Sequence, residues 1–302
     1  MGRITDALNA YDIEKANLDE LYRIFKEVDD YDIPIVRFTI YPGARLIRQR
    51  INLKGKEFYE ISELNYPPAA CLSNHGRANL PYQPMFYACS FSNDNESNTP
   101  LPRIVSLLET SSFFNDKESA GIERATVSRW DVFKTLNLIA LPFCGDYSRP
   151  CKDVINFVKA WQDIINDASI NPEGLELIQY MSNEMATEFS FDNEYIKVAN
   201  FVNYLLNINT KTKDADGIIY PSVPAQGGGF NVAVKPDIAD AKIRFVGASL
   251  CHLLKQHDKS YIAIIKDSQI SGNGTITYID RTQSQDEIKM YEQYANGLYF
   301  VN

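Results

Sequence analysis

The chain of 302 residues carries 30 basic and 39 acidic side chains, a formal charge of −9 at neutral pH. A negative balance of this size excludes the broad basic surface of a nucleic-acid coat, so no direct nucleic-acid partner is expected. Apolar residues make up 45%, enough for a sizeable core, and no apolar run approaches the roughly 18–20 residues that span a bilayer, which argues against a membrane partner.

The opening Met1-Gly2-Arg3-Ile4-Thr5-Asp6 leads into charged residues with no apolar signal core, and Asp6 stands where a myristoylation signal wants Ser or Thr. A cytoplasmic location is the expectation. The five cysteines, Cys71, Cys89, Cys144, Cys151 and Cys251, form no Cys-x-x-Cys pair and read as reduced, mostly packed thiols. With His75, His252 and His257 they make no ligand cluster, so no metal is expected.

Residues 17–29 read as a helix, with Asn17 and Glu20 in a capping pattern and Leu18, Leu21, Ile24, Phe25 and Val28 on one face. Ile35–Tyr41 reads as a strand with Val36, Phe38 and Ile40 to one side. Leu46–Leu53 reads as a second, with Ile47, Ile51 and Leu53 on one face and Arg48 and Arg50 on the other. From Pro34 to Lys56 the chain carries Arg37, Arg45, Arg48, Arg50, Lys54 and Lys56 without an acidic residue. Such a reversal on an acidic protein suits a small anionic ligand; the alternative is a set of charges that keeps an edge strand soluble.

Met85–Phe91 is strand-like and Ser92–Pro102 a polar loop. Ile104–Ser111 reads as a helix with Glu109 toward its end, and Ala125–Phe143 carries a strand-like Thr126-Val127-Ser128 and an apolar Leu136–Leu141 run. Helical spacing then recurs in Val154, Val158, Trp161, Ile165; in Leu175, Ile178, Met185; and in Val198, Phe201, Val202, Leu205, Leu206. Ile218–Val223 and Phe230–Val234 read as strands joined by Gly227-Gly228-Gly229, which lacks a phosphate-binding glycine pattern and serves as a connection. Tyr261–Lys266 and Thr275–Ile279 flank Ser271-Gly272-Asn273-Gly274, a hairpin signal. No repeat or linker marks a boundary. The expectation is one α/β (α+β) domain over 1–302, with a helical stretch near 150–208 and a C-terminal hairpin near 260–280.

Three local patterns stand out. The first is Leu46-Ile47-Arg48-Gln49-Arg50-Ile51. The second is Gly76-Arg77-Ala78-Asn79 followed by Phe86-Tyr87, with Glu109 downstream. The third is Asp216 to Ser222 followed by Gly229-Phe230-Asn231. Their order and spacing over about residues 40–250 resemble the RES domain family, named for its Arg, Glu and Ser. The resemblance implies a core like that of the ADP-ribosyltransferases, a mixed sheet carrying here a helical insertion, and an activity against NAD. Members are typically toxins of bacterial toxin–antitoxin pairs that degrade NAD by phosphorolysis or hydrolysis; some are described as ADP-ribosylating a protein.

Carried over residue by residue, Arg48 and Arg77 take the arginine roles, with Arg50 the alternative to Arg48. Tyr87 takes an aromatic role, Glu109 the acidic role and Ser222 the serine role, with Asn231 steadying the same loop. A tyrosine often found beside the first arginine is absent, since Ile47 and Gln49 flank Arg48.

The chemistry fits these residue types. A guanidinium holds the oxygens of NAD's pyrophosphate through paired charge-assisted hydrogen bonds. Cleaving the nicotinamide–ribose bond builds positive charge on the ribose, which a carboxylate at Glu109 stabilises. Ser222 is suited to a ribose hydroxyl or the nicotinamide amide, and no His and acid pair is placed to make it a nucleophile. Tyr82 and Tyr220 lie beside site residues in sequence and are candidates for stacking on a ring. The bland alternatives are a turn arginine paired with a carboxylate, a solvated helix glutamate and a satisfied turn serine.

The expected activity is that of an NAD phosphorylase or glycohydrolase, with NAD as substrate and phosphate, water or a protein side chain as acceptor. An ADP-ribosyltransferase acting on a protein and a non-catalytic NAD-binding module are the alternatives. The implied partners are NAD, inorganic phosphate, a homo-oligomeric copy and an antitoxin, whose acidic segment would occupy the arginines in place of pyrophosphate.

Overall fold

The computed structural model describes residues 2–29, 33–90, 102–141, 147–148, 150–187, 195–257, 259–272 and 274–301. The expected polar loop before Pro102, Cys144 and Asn273 lie outside these residues, as does the end of the Ala125–Phe143 segment.

Helix α1 (Arg3–Ala10) precedes α2 (Leu18–Asp29), which Asn17 caps by accepting the Glu20 amide at 3.4 Å. Strands β1 (Val36–Ile40) and β2 (Arg45–Ile51) follow. Leu53 does not extend β2: the strand ends at Ile51, Asn52 turns inward to donate to the Lys56 carbonyl, and Leu53 is 65% exposed on a short 3-10 turn. Next come α3 (Ile61–Leu64), β3 (Phe86–Ser90), α4 (Pro102–Thr110), α5 (Ser112–Asn115), β4 (Ala120–Val132) and β5 (Leu136–Ala140). The helical stretch is α6 (Lys152–Ile165), α7 (Pro172–Ala186) and α8 (Ile196–Asn203), which runs on into a π-helical turn at Tyr204–Ile208. The chain closes with β6 (Gly217–Pro221), β7 (Phe230–Val234), α9 (Pro236–Lys242), β8 (Ile243–Gln256), β9 (Lys259–Ile270), β10 (Ile276–Asp280) and α10 (Gln285–Ala295).

The strands form one ten-stranded mixed sheet in the order β1-β5-β6-β7-β3-β2-β4-β8-β9-β10, and the architecture is α+β. β5 and β6 are parallel neighbours, whereas the other pairings are antiparallel. Parallel neighbours need a crossover, and α6–α8 supply it. The long strand β8 has no counterpart in the sequence reading. From Gly247 onward its side chains are covered on both faces of the sheet, so the polar–apolar alternation that marks a half-buried strand is blurred there.

One face of the sheet packs beneath α1, α2, α7 and α8, whose Leu8, Phe25, Met181 and Phe201 meet Ile139, Ile218 and Ala233 of the strands. On the same face α4 sets Leu107 against Ile47, Ala125 and Val127. The opposite face packs Leu46, Phe86, Trp130 and Val232 against Val154 and Phe157 of α6 and Ala239 of α9. The alternation of Leu46 and Ile47 between the two cores is the period-2 geometry of a strand covered on both sides.

The basic stretch does not form one patch. Arg37 pairs with Asp214 at 2.9 Å, Arg45 with Asp131 at 2.8 Å and Lys56 with Glu63 at 2.9 Å. Arg50 donates to the Glu63 carbonyl and stacks over Phe58. Nor does β2 lie at an edge, since β3 and β4 flank it. Most of these arginines therefore serve local contacts, and Arg48 alone of the stretch lines the cavity described below.

The C-terminal helix docks through His252 of β8, whose Nδ1 lies 3.0 Å from the Tyr291 hydroxyl and whose ring meets Phe300 edge-on at 5.0 Å. Burial, with the Arg124 charge adding to it, pulls His252 from the usual 6.5 down to about 4. The unfolded chain therefore binds this proton first. Stability supplied by neutral His252 is complete above pH 6.5 and falls as pH drops toward 4. Denaturant midpoints measured at pH 7 and 4.5 should separate more for the native chain than for His252→Leu.

Candidate functional site

β2 and β3 pair through Leu46–Ser90 and Ile47–Cys89 and then part, while β2 stays paired to β4 through Ile51. A cavity of about 300 Å³ sits at this split, at the small end of the roughly 300–1,000 Å³ typical of ligand pockets. Its lining draws on β2 (Arg48, Gln49), β3 (Tyr87, Ala88, Cys89), α4 (Ser106, Glu109, Thr110) and β7 (Asn231, Val232). Arg77, Tyr195 and Tyr220 complete its polar and aromatic wall. Ser106, Glu109 and Thr110 share one helical face by their i, i+3, i+4 spacing.

Arg48 reaches across the gap. Its Nε donates to the Leu64 carbonyl at 3.1 Å and its Nη1 to the Tyr87 carbonyl at 2.8 Å. No carboxylate pairs with it among the described residues. Burial, and then the neighbouring Arg50 charge, lower its pKa to about 10, so it stays cationic at neutral pH. A buried guanidinium satisfied by carbonyls but facing no counter-charge retains its attraction for an anion.

The Gly76-Arg77-Ala78-Asn79 segment folds into a tight turn closed by the Gly76 amide on the Asn79 carbonyl at 3.0 Å. A side chain at Gly76 would collide with the Asn79 amide. Tyr87 locks this turn to β3: its hydroxyl accepts from the Ala78 amide at 3.0 Å and donates to Asn79 Oδ1 at 2.8 Å. Burial raises the Tyr87 pKa, which keeps that donor protonated. The turn thereby directs Arg77 into the cavity. There Nε donates to the Met185 carbonyl at 3.1 Å, and the guanidinium lies 5.3 Å from the Tyr195 ring centroid. The helical crossover thus contributes a wall of the cavity.

Glu109 is the acidic centre. Its Oε1 accepts from Ser222 Oγ at 2.5 Å and from Asn231 Nδ2 at 2.7 Å, and its Oε2 faces Arg77 Nη1 at 3.7 Å. The buried Cys89 thiol donates to Asn231 Oδ1 at 3.2 Å, which fixes the amide with its NH₂ toward Glu109. Burial, followed by the Glu109 charge, holds the Cys89 pKa well above its usual value, so the thiol remains a donor. Two guanidiniums and one carboxylate line the cavity, a formal balance of +2 − 1 = +1 that favours an anionic ligand.

The structure brings Arg48, Arg77, Tyr87, Glu109 and Asn231 to this one cavity. Ser222 is fully buried and stands outside the lining. Its hydroxyl donates to Glu109 and accepts from the Ala225 amide at 3.3 Å, so it positions the carboxylate from behind. Arg50 leaves the cavity for Glu63 and Phe58. Tyr220 lines the cavity, whereas Tyr82 is exposed in a left-handed turn outside it. Gln49, Cys89, Ser106, Thr110 and Tyr195 also reach the site and carry no signal in the linear chain, because each depends on the packing of a separate element.

Replacing Ser222 by Ala removes one of the two donors to Glu109 Oε1 and leaves the Ala225 amide unmatched. Denaturant unfolding should show a loss of about 1–3 kcal/mol, the range for a buried polar group left without its partner. Comparison of the chain with known family models and with curated proteins finds no match.

Proposed function

We propose that this protein cleaves the nicotinamide–ribose bond of NAD in the cavity between β2 and β3. The observation that carries the reading is one cavity holding Glu109, braced by two donors, beside Arg48, a buried guanidinium without a carboxylate partner among the described residues. The resemblance of the Arg77, Glu109 and Ser222 segments to the RES family supplies the substrate. Pyrophosphate is the anion that Arg48 and Arg77 suit, since a guanidinium fork matches two phosphate oxygens.

The chemistry follows from the charge arrangement. As the C1′–N bond lengthens, its electron pair leaves with neutral nicotinamide and positive charge develops on the ribose. Glu109, oriented before the reaction by Ser222 and Asn231, stabilises that charge without reorganising. A phosphate or water oxygen then bonds to C1′, and its proton is released or taken by the carboxylate. Phosphate yields an ADP-ribose phosphate ester; water yields ADP-ribose. Arg77 neutralises part of the Glu109 charge, and binding of pyrophosphate would draw the guanidinium toward the ligand. A cell making such an enzyme needs a partner that covers the cavity, which is the role of an antitoxin.

The test is nicotinamide release from NAD by the purified chain, with and without phosphate. Release should occur, and intact NAD under both conditions would overturn the reading. Glu109→Gln keeps a carbonyl oxygen for Ser222 and Asn231 while removing the charge, so turnover should fall by about 10² or more with binding retained. Arg48→Lys keeps the charge but loses the fork and should raise KM about tenfold, the value of one charge-assisted bond at roughly 1.5 kcal/mol. Expression of the native chain, but not of Glu109→Gln, should slow bacterial growth.

A further inference from the structure

Beside Arg48, β2 sends into the cavity a side chain that the reaction as described leaves unused. Gln49 is 4% exposed and lines the cavity, and its Nε2 has no hydrogen-bond partner among the described residues. Polar neighbours in the same lining are engaged. Asn79 pairs with Tyr87, Asn231 with Glu109 and Cys89, and Thr110 donates to the Ser106 carbonyl at 2.8 Å. A buried amide donor without a partner carries the desolvation penalty of burial with no bond in return. Apolar side chains of similar length would fill the same position without that penalty, since the neighbouring Ile47 and Val127 already form an apolar cluster. An unmatched donor at the wall of a binding cavity is matched when a ligand arrives.

The amide's chemistry narrows the ligand group. A primary amide offers donors and an acceptor and bears no charge. Its full complement is another group with a carbonyl oxygen and an NH₂, which it meets through two parallel hydrogen bonds. Phosphate oxygens are better served by the two guanidiniums. Gln49 shares its face of the sheet with Ile47, on which α4 packs, so it and Glu109 approach the cavity from the same side.

We infer that Gln49 recognises the nicotinamide carboxamide and makes the site select carboxamide over carboxylate dinucleotides. This inference rests on the reading of the cavity as an NAD site. Selection has an attractive and a repulsive part. Gln49 bonds the carboxamide, while a nicotinate carboxylate offers no N–H to the Gln49 amide oxygen and would set two acceptor oxygens face to face. Gln49 acts on binding and on orientation of the ring, so the bond to be broken faces Glu109.

The test is calorimetric titration with NAD and, separately, with nicotinic acid adenine dinucleotide, in the Glu109→Gln background where cleavage is slowed, alongside thermal unfolding without ligand. With Gln49 present, NAD should bind at least about tenfold more tightly than the nicotinate analogue. Gln49→Met, which matches length and removes the amide, should lower NAD affinity about tenfold or more and erase the preference. Its unliganded Tm should be unchanged or higher, because a partnerless buried amide has been removed. Equal NAD binding with Gln49 and with Met would overturn the role of Gln49 and leave the NAD site standing. A lower Tm in the Met variant would overturn it as well, by showing that the amide serves the fold. Failure of either dinucleotide to bind with Gln49 present, and of native protein to release nicotinamide, would remove the NAD reading and this inference with it.

Discussion

β2 and β3 separate after two residue pairs, and the guanidinium of Arg48 bridges the opening by donating to the Tyr87 carbonyl. The site's geometry depends on this contact. A continuous ladder between the strands would close the cavity, whereas an unfilled gap would leave backbone groups buried without partners. The guanidinium satisfies carbonyls on both sides, at Leu64 and Tyr87, and in doing so places a cation inside the sheet without a carboxylate beside it. The strand separation and the anion-attracting character of the cavity therefore have one cause.

The remaining walls are held by bonds between elements distant in the chain. Tyr87 ties the Gly76–Asn79 turn to β3, and that turn carries Arg77. Arg77 meets the end of α7 through Met185 and stacks near Tyr195 before α8, so the parallel-strand crossover shapes the site as well as completing the sheet. Glu109 comes from α4, Asn231 from β7 and Ser222 from the end of the β6 hairpin. Each of these carboxylate contacts crosses more than 100 residues of chain. Loss of any supporting element would move a charged group, which is how a helical layer remote in sequence influences the acidic centre.

The cavity also gathers several departures from economical burial. Among the described residues Arg48 lacks a counter-charge and Gln49 Nε2 a partner, and the Arg77–Glu109 pair is loose at 3.7 Å, with the two side chains 19% and 13% exposed. By contrast, Lys242 and Asp216 close at 2.7 Å beside strand β6, outside the cavity lining. Buried polar atoms without a partner among the described residues also occur elsewhere, at Tyr11, Trp161 and Ser182 for example, but those in the cavity face a concave space where hydrogen-bonding capacity remains for a ligand.

Much of the architecture was legible in the linear chain. The Asn17 cap, the apolar periodicity of the crossover helices, the β6–β7 pair around its glycines and the β9–β10 hairpin all follow from local patterns that tertiary packing reinforces. The candidate residues Arg48, Arg77, Glu109 and Asn231 were singled out by the resemblance of their segments to the RES family, since side-chain chemistry alone left each with an ordinary structural alternative. Other features had no local signal. β8 was hidden by its burial on both sides, and Leu53 was misplaced because a strand's alternation does not show where its hydrogen bonds stop. Nor does a sequence contain the parting of β2 from β3 that opens the cavity, the turn of Arg50 toward Glu63, or the burial of Ser222 behind Glu109. Side-chain identity supplied the chemical groups; pairing between strands far apart in the chain decided which of them share a cavity, because register and burial are properties of the assembled sheet.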